Sequence, residues 1–248
     1  ELKDEFAVYD MLRTMPGYMG KAKRDVLALI EPVKKLGNEA YAKLTGYMKA
    51  LRALDYWDNG LEPGIGLTRA EVSAVVNRTR HENPELAQIA EDVAKAYEAM
   101  VERTLIDSGV WSRGQYEEYK KRWPHYVPFV RVNEDGSATS PTRRGRGIVN
   151  LSNQVKQATG VGTADAVIDT KDPFEMMVKN ALAFNQLAEK NRAAQALVRA
   201  ALADPALFAD VIEPVQGGER SGDTFTVWFD GKRRAFTGDK KLIDALAA

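Results

Sequence analysis

The residues best suited to chemistry in this chain are few and scattered. Two histidines are present, cysteine is absent, and no phosphate-binding loop motif occurs. His81 and His125 stand far apart, and neither belongs to a His-x-x-x-His or Glu-x-x-His pattern that would set ligands on adjacent helical turns. Zinc is therefore not expected. For His125 the plain reading is a packed or hydrogen-bonded ring beside Tyr126, and for His81 a residue at a helix C-terminus favoured by the dipole.

Asp55, Asp58 and Glu62 flank a glycine-rich stretch and come nearest to a glycosidase-like site, which needs two carboxyl groups held across a scissile bond. Surface and capping roles compete with that reading and are favoured over it. Gly64-Ile65-Gly66 resembles part of a dinucleotide motif, but no strand precedes it and Arg69 stands where a third glycine belongs. A turn between helices explains it.

Arg143, Arg144 and Arg146, interleaved with glycine, form a basic patch able to hold phosphate through charge-assisted contacts, with Arg131 and Arg233 as further cations. The competing reading is a solvated linker. Trp123, Tyr126 and Phe129 could stack on single-stranded bases, although aromatic side chains more commonly anchor a core.

These residues must be positioned by elements legible in the pattern. Apolar positions from Phe6 to Trp57 recur with helical spacing, broken at Met15-Pro16-Gly17; Pro32 either divides or kinks the second part. Residues 58–66 read as a loop. Thr68 with Glu71 makes a capping box for a helix to about Arg80. Asn83-Pro84 opens another helix, with Leu86, Ala90, Val93, Tyr97, Met100 and Thr104 on one stripe and an end near Ser108-Gly109. Ser112 and Gln115 form a second capping box.

The run Arg122 to Arg131 carries two prolines and four aromatic rings, counting His125, and stops the helical pattern. A residue before proline is pushed out of the α region, so Tyr126 to Arg131 is expected to be extended. Residues 133–147 lack apolar periodicity and read as a mobile basic linker, with a short helix allowed at Ser152 to Ala158. Asp172-Pro173 restarts a helix that reaches Leu202, with Phe174, Met177, Val178, Ala181, Leu182, Asn185, Ala188 and Arg192 near one stripe. Val211, Ile212 and Val215 suggest a strand. Thr224 to Phe229 alternates, Asp230-Gly231 is a hairpin turn, and a short helix from Asp239 to Leu246 follows the return strand.

The balance of 35 basic and 35 acidic residues gives no net charge, so any nucleic-acid contact must be local. No stretch approaches the ~20 apolar residues of a membrane span, and the start is unlike a signal peptide, so a soluble chain is expected. Beginning with Glu1 in mid-pattern, the chain reads as a segment of something larger.

The order of elements resembles segments of the large multi-domain polyvalent proteins of tailed bacteriophages and mobile elements. The matching pieces are Asn59-Gly60-Leu61-Glu62-Pro63-Gly64 before Leu67-Thr68, the helix end Asp107-Ser108-Gly109, and Tyr126-Val127-Pro128-Phe129-Val130-Arg131. The Asp172-Pro173 start and the Asp230-Gly231-Lys232 hairpin also match. The resemblance supplies no active site. It implies a non-catalytic structural or interaction module in the bacterial cytoplasm or the virion, delivered with DNA in some members, whose partners are other domains of the same protein or other virion proteins.

The expected architecture is mainly α: an irregular bundle of long antiparallel helices with a small C-terminal β-hairpin plus helix. Its parts are a helical domain over 1–132, a flexible basic linker over 133–170, and a long helix with hairpin and short helix over 171–248. Neither a cofactor nor a small-molecule ligand is expected. The alternatives are a nucleic-acid-binding module using the arginine-glycine loop and a carboxylate hydrolase acting on cell-wall glycan.

Overall fold

The computed structural model describes residues 17–125, 172–206, 212–215 and 224–238. Within them lie six α-helices: α1 (Tyr18–Ile30), α2 (Asn38–Asp58), α3 (Arg69–Glu82), α4 (Pro84–Val101), α5 (Arg113–Arg122) and α6 (Pro173–Ala203). A π-helical turn, Glu102–Ile106, continues α4. Three antiparallel strands, β1 (Ile212–Pro214), β2 (Thr224–Phe229) and β3 (Lys232–Gly238), form a sheet ordered β1-β3-β2. The chain is thus mostly helical, with a small sheet near its C-terminal end.

Local chemistry explains most helix boundaries. Both capping boxes form: the Thr68 and Ser112 hydroxyls accept from the Glu71 and Gln115 amides, and those side chains accept from the Thr68 and Ser112 amides. Asp172 caps α6 by accepting from the Phe174 amide at 2.8 Å, with Pro173 at the first helical position. Asn83 does sit between α3 and α4, but its side chain makes no capping bond, so Pro84 alone marks that start. Pro32 lies in the turn between α1 and α2, which resolves the two sequence alternatives as a pair of helices.

The helix opened by Pro84 departs from its expected course. It stops being α-helical at Val101, because the Thr104 hydroxyl donates to the Met100 carbonyl at 2.6 Å and competes for the acceptor that the helical ladder would use. The turn widens, and the Asp107 amide donates five residues back to Glu102. Arg192 of α6 donates to the carbonyl of Arg103 at 3.0 Å, and the Ser108 hydroxyl donates to that of Thr104. The stripe itself stands: Leu86, Ala90, Val93, Tyr97, Met100 and Thr104 are all buried.

A single stripe proves too simple for α6. Phe174, Met177, Ala181, Asn185 and Ala188 are buried as expected, yet so are Asn180, Phe184, Leu187, Lys190, Asn191 and Gln195, while Leu182 is exposed. The reason is that α6 serves two cores. Phe174, Met177, Ala181, Phe184 and Leu187 join the main core with residues of α1 to α4, and Ala194, Leu197, Val198 and Ala201 pack beneath Ile212, Phe225, Val227 and Phe236 of the sheet. A Lys21–Glu189 ion pair at 2.8 Å and a bond from Asn185 to Asp25 at 2.7 Å set α1 antiparallel to α6. Arg103 of the π-turn pairs with the same buried Asp25.

In the sheet, Phe225 and Val227 face the core as the alternation requires, with Phe229 packed beside them. Phe225 pairs with Phe236 and their rings lie 5.8 Å apart. Asp230 and Gly231 both adopt positive φ, 47° and 73°, as a two-residue hairpin turn of this hand demands. The hairpin is therefore part of a three-stranded sheet on α6 rather than a free-standing pair. Phe6, Met11 and Leu12, the segment Tyr126 to Arg131, the basic stretch 133–147, Ser152 to Ala158, Val211 and the closing helix Asp239 to Leu246 lie outside the described residues.

Candidate functional site

The end of α2 and the end of α5 meet at a polar joint. Asn59 follows α2; its amide nitrogen Nδ2 donates to the carbonyls of Asp55 at 2.8 Å and of Arg122 at 2.7 Å, while Arg122 Nε donates to Asn59 Oδ1. Three residues beyond α5, His125 folds back onto Asp55. Its backbone amide donates to Asp55 Oδ2 at 2.9 Å, and its ring Nδ1 lies 2.8 Å from Oδ1. The Asp55 side chain is 2% exposed and that of His125 43%.

Arg52, one turn before Asp55 and equally buried, places its guanidinium 3.6 Å from the carboxylate. Its Cζ lies 4.1 Å from the Trp123 ring centre and 5.1 Å from that of Tyr56. The rings of Tyr56 and Trp123 are themselves 5.1 Å apart. Trp123 is thus a core anchor and a cation platform together. A carboxylate on Nδ1 fixes the imidazole tautomer and orientation that general-base chemistry uses. Here the same carboxylate also accepts from the backbone of His125, so both oxygens hold one residue in place.

The other two nominated acids do not join it. Asp58 pairs with Arg69 at the surface, and Glu62 accepts from the Trp57 indole at 3.1 Å. His81 lies exposed in the last turn of α3. Among the described residues no three of His, Cys, Asp and Glu gather as metal ligands would. Of the nominated cations, Arg131, Arg143, Arg144 and Arg146 lie outside the described residues. Arg233 is exposed on β3 and donates to the Thr226 hydroxyl at 3.2 Å, whereas Arg234 lies over Phe229 at 5.6 Å, on the alternate face.

Sequence reasoning missed a pocket. Tyr97 of α4, Trp111, Tyr116 and Tyr119 of α5, Trp123 and Phe184 of α6 contribute six aromatic rings to its lining. Its empty space is about 510 Å³, solvent at the mouth included. Trp111 lies 5.3 Å from Tyr119 and 6.3 Å from Tyr116, centre to centre. The Tyr97 hydroxyl, accepting from Asn180 at 2.8 Å, ties one wall to α6. Glu98 and Lys120 also line the pocket and pair at 2.8 Å.

Burial pushes the Tyr116 hydroxyl up to about 12, and the carboxylates of Glu98, Glu102 and Glu117 push in the same direction. The hydrogen bond from Lys120 to Glu98 holds that ammonium above its ordinary range, aided by the same carboxylates. No periodicity announces this pocket, because Trp111 precedes α5, Trp123 follows it, and the other rings come from three helices. Tyr116 and Tyr119, three apart on α5, were the one local signal.

No family model, curated protein or solved structure matches the chain. No helix among the described residues is long and apolar enough to cross a membrane.

Proposed function

We propose that this chain is a non-catalytic structural and interaction module of a large multi-domain phage protein, working in the bacterial cytoplasm or carried in the virion with DNA. The observation that supports a non-catalytic role is the use made of the buried acid. Both oxygens of Asp55 bond to His125, and Asp58 and Glu62 engage other partners, so the nominated carboxylates serve as fasteners. The antiparallel placing of α1 on α6 supports the finer reading of an irregular antiparallel bundle. Its partners, in this reading, are other domains of the parent protein or other virion proteins.

The test pairs two measurements on Asp55→Asn. A fastener predicts a lowered melting temperature with no peptidoglycan cleavage by either form. A hydrolase predicts cleavage by the parent chain, abolished in a variant that still folds, and that outcome would overturn the proposal. Mass spectrometry of purified virions from a host phage tests delivery.

A DNA-binding reading has one described feature in its favour, the exposed run Lys232-Arg233-Arg234 on β3. Filter binding at low salt decides it. Retention that falls steeply with salt would support it, and absence of retention removes it.

A further inference from the structure

We infer that the pocket between α4, α5 and α6 is an aromatic cage for a methylated ammonium group, as carried by a choline headgroup or a trimethylated lysine. This goes beyond the module reading, which stands or falls without a ligand, and it departs from the expectation that no small molecule binds.

The first argument is the lining. Six aromatic rings bound one small pocket, and the negative face of an aromatic ring attracts a cation whose hydration shell is weak. A methylated ammonium couples positive charge with an apolar surface, so it loses little on leaving water and matches walls that a bare ammonium would not. The second is the rim. Glu98 supplies a carboxylate, with Glu102 and Glu117 close enough to influence Tyr116, against Arg113 acting the opposite way. Lys120 holds the Glu98 carboxylate, and its side chain is 44% exposed, so it is free to swing to solvent when another cation arrives.

The third is a precedent within the same structure. Trp123, one wall of the pocket, already carries the Arg52 guanidinium at 4.1 Å from its ring centre, with Asp55 behind that cation. Tryptophan, tyrosine and carboxylate thus hold a built-in cation at one side of Trp123. Arg122 lies over the same indole at 5.4 Å, and the pocket lining repeats the three residue types that hold these cations.

Titration of the full chain with choline, followed by tryptophan fluorescence and by melting temperature, tests the inference. The control is 3,3-dimethylbutanol, which has the same shape without the charge. Choline should give a saturable change and raise the melting temperature, with the alcohol roughly tenfold weaker. A peptide bearing trimethyl-lysine beside its unmodified counterpart separates the two sources: preference for the modified peptide over choline points to a protein partner, and the reverse points to a headgroup.

Glu98→Gln should weaken choline several-fold, and Lys120→Gln should leave it unchanged or tighten it by removing a competing ammonium. Far-UV circular dichroism shows that each variant is folded, and Tyr119→Leu offers a second way to remove one wall. Equal binding of choline and the alcohol would reduce the pocket to an apolar hole and overturn the cage. Absence of any saturable change, or loss of choline binding in folded Lys120→Gln, would overturn it too.

Discussion

Asp55 and Asn191 each fasten a distant part of the chain to a helix, one with charge and the other with an amide. At the first joint a buried carboxylate takes two bonds from His125, with Arg52 behind it. At the second, Asn191 donates to the carbonyls of Ser108 at 2.8 Å and Trp228 at 3.0 Å, and accepts from the Trp228 amide at 2.8 Å. Gln195 donates to the same two carbonyls. Asn191 therefore offers strand β2 what a neighbouring strand would, an N–H and a C=O side by side.

Two glycines complete the second joint. The amide of Gly231 donates to the carbonyl of Gly109 at 3.0 Å, so the hairpin turn docks against the loop before α5. The contrast teaches how fasteners differ in what they demand. A neutral amide needs only its partners' geometry, whereas a buried carboxylate also needs its cation.

Breaking the charged joint is expected to have the largest effect. Asp55→Ala removes the counter-charge from the buried Arg52 guanidinium, and loss of one member of such a pair costs roughly 3 kcal/mol or more. Urea unfolding measures it; a change under 1 kcal/mol would show that the joint is an ornament of the surface.

The glycine contact ranks next. A Cβ on Gly231 would sit 2.0 Å from Gln115 Oε1 and 2.7 Å from the Ser112 amide nitrogen, at a φ of 73° that side chains disfavour. Gly231→Ala should cost about 3 kcal/mol, since strain and a backbone clash combine. Unchanged stability would mean that the turn does not dock there.

Asn191→Leu should cost about 2 kcal/mol by leaving the Trp228 amide without its side-chain acceptor, with Gln195 still serving the two carbonyls. Hydrogen exchange at Trp228 should accelerate with it. If both amide side chains must be lost before exchange rises, the two share the task.

The smallest effect concerns pH. Burial pushes the Tyr116 hydroxyl up to about 12 in the folded chain, from an ordinary value of 10.0. In the unfolded chain it loses its proton first, so its contribution is whole below pH 10 and disappears as pH rises to about 12. Tyr116→Phe should flatten the alkaline loss of stability by on the order of 1 kcal/mol. Parallel curves for parent and variant would show that the hydroxyl is solvated. Tyr41, raised by burial and by its bond to Asp172, acts in the same direction and remains in both forms.

How far each joint could be read in advance follows from the range of its interactions. The capping boxes at Thr68 and Ser112 were legible because donor and acceptor lie three residues apart. Asp55 and His125 are separated by 70 residues, and each looked ordinary alone. The π-turn went unread since Thr104, a good stripe residue by spacing, also carries the hydroxyl that upsets the ladder. In α6 a stripe was too narrow a description, because two cores share one helix and its amides are buried where they meet strand and loop.

Periodicity, caps and turn residues are local properties, and they were enough to place the helices, the Asp230-Gly231 turn and the α4 stripe. Backbone dihedrals and side-chain spacing within a few residues decide those features. The aromatic pocket arose only when α6 packed against the earlier helices, the charged joint when the chain beyond α5 returned to the end of α2, and the amide joint when the hairpin reached the loop at Gly109. Contacts between residues far apart in the chain depend on where whole elements settle, and burial, rather than residue type, turned Asp55, Tyr116 and Asn191 into what they are here.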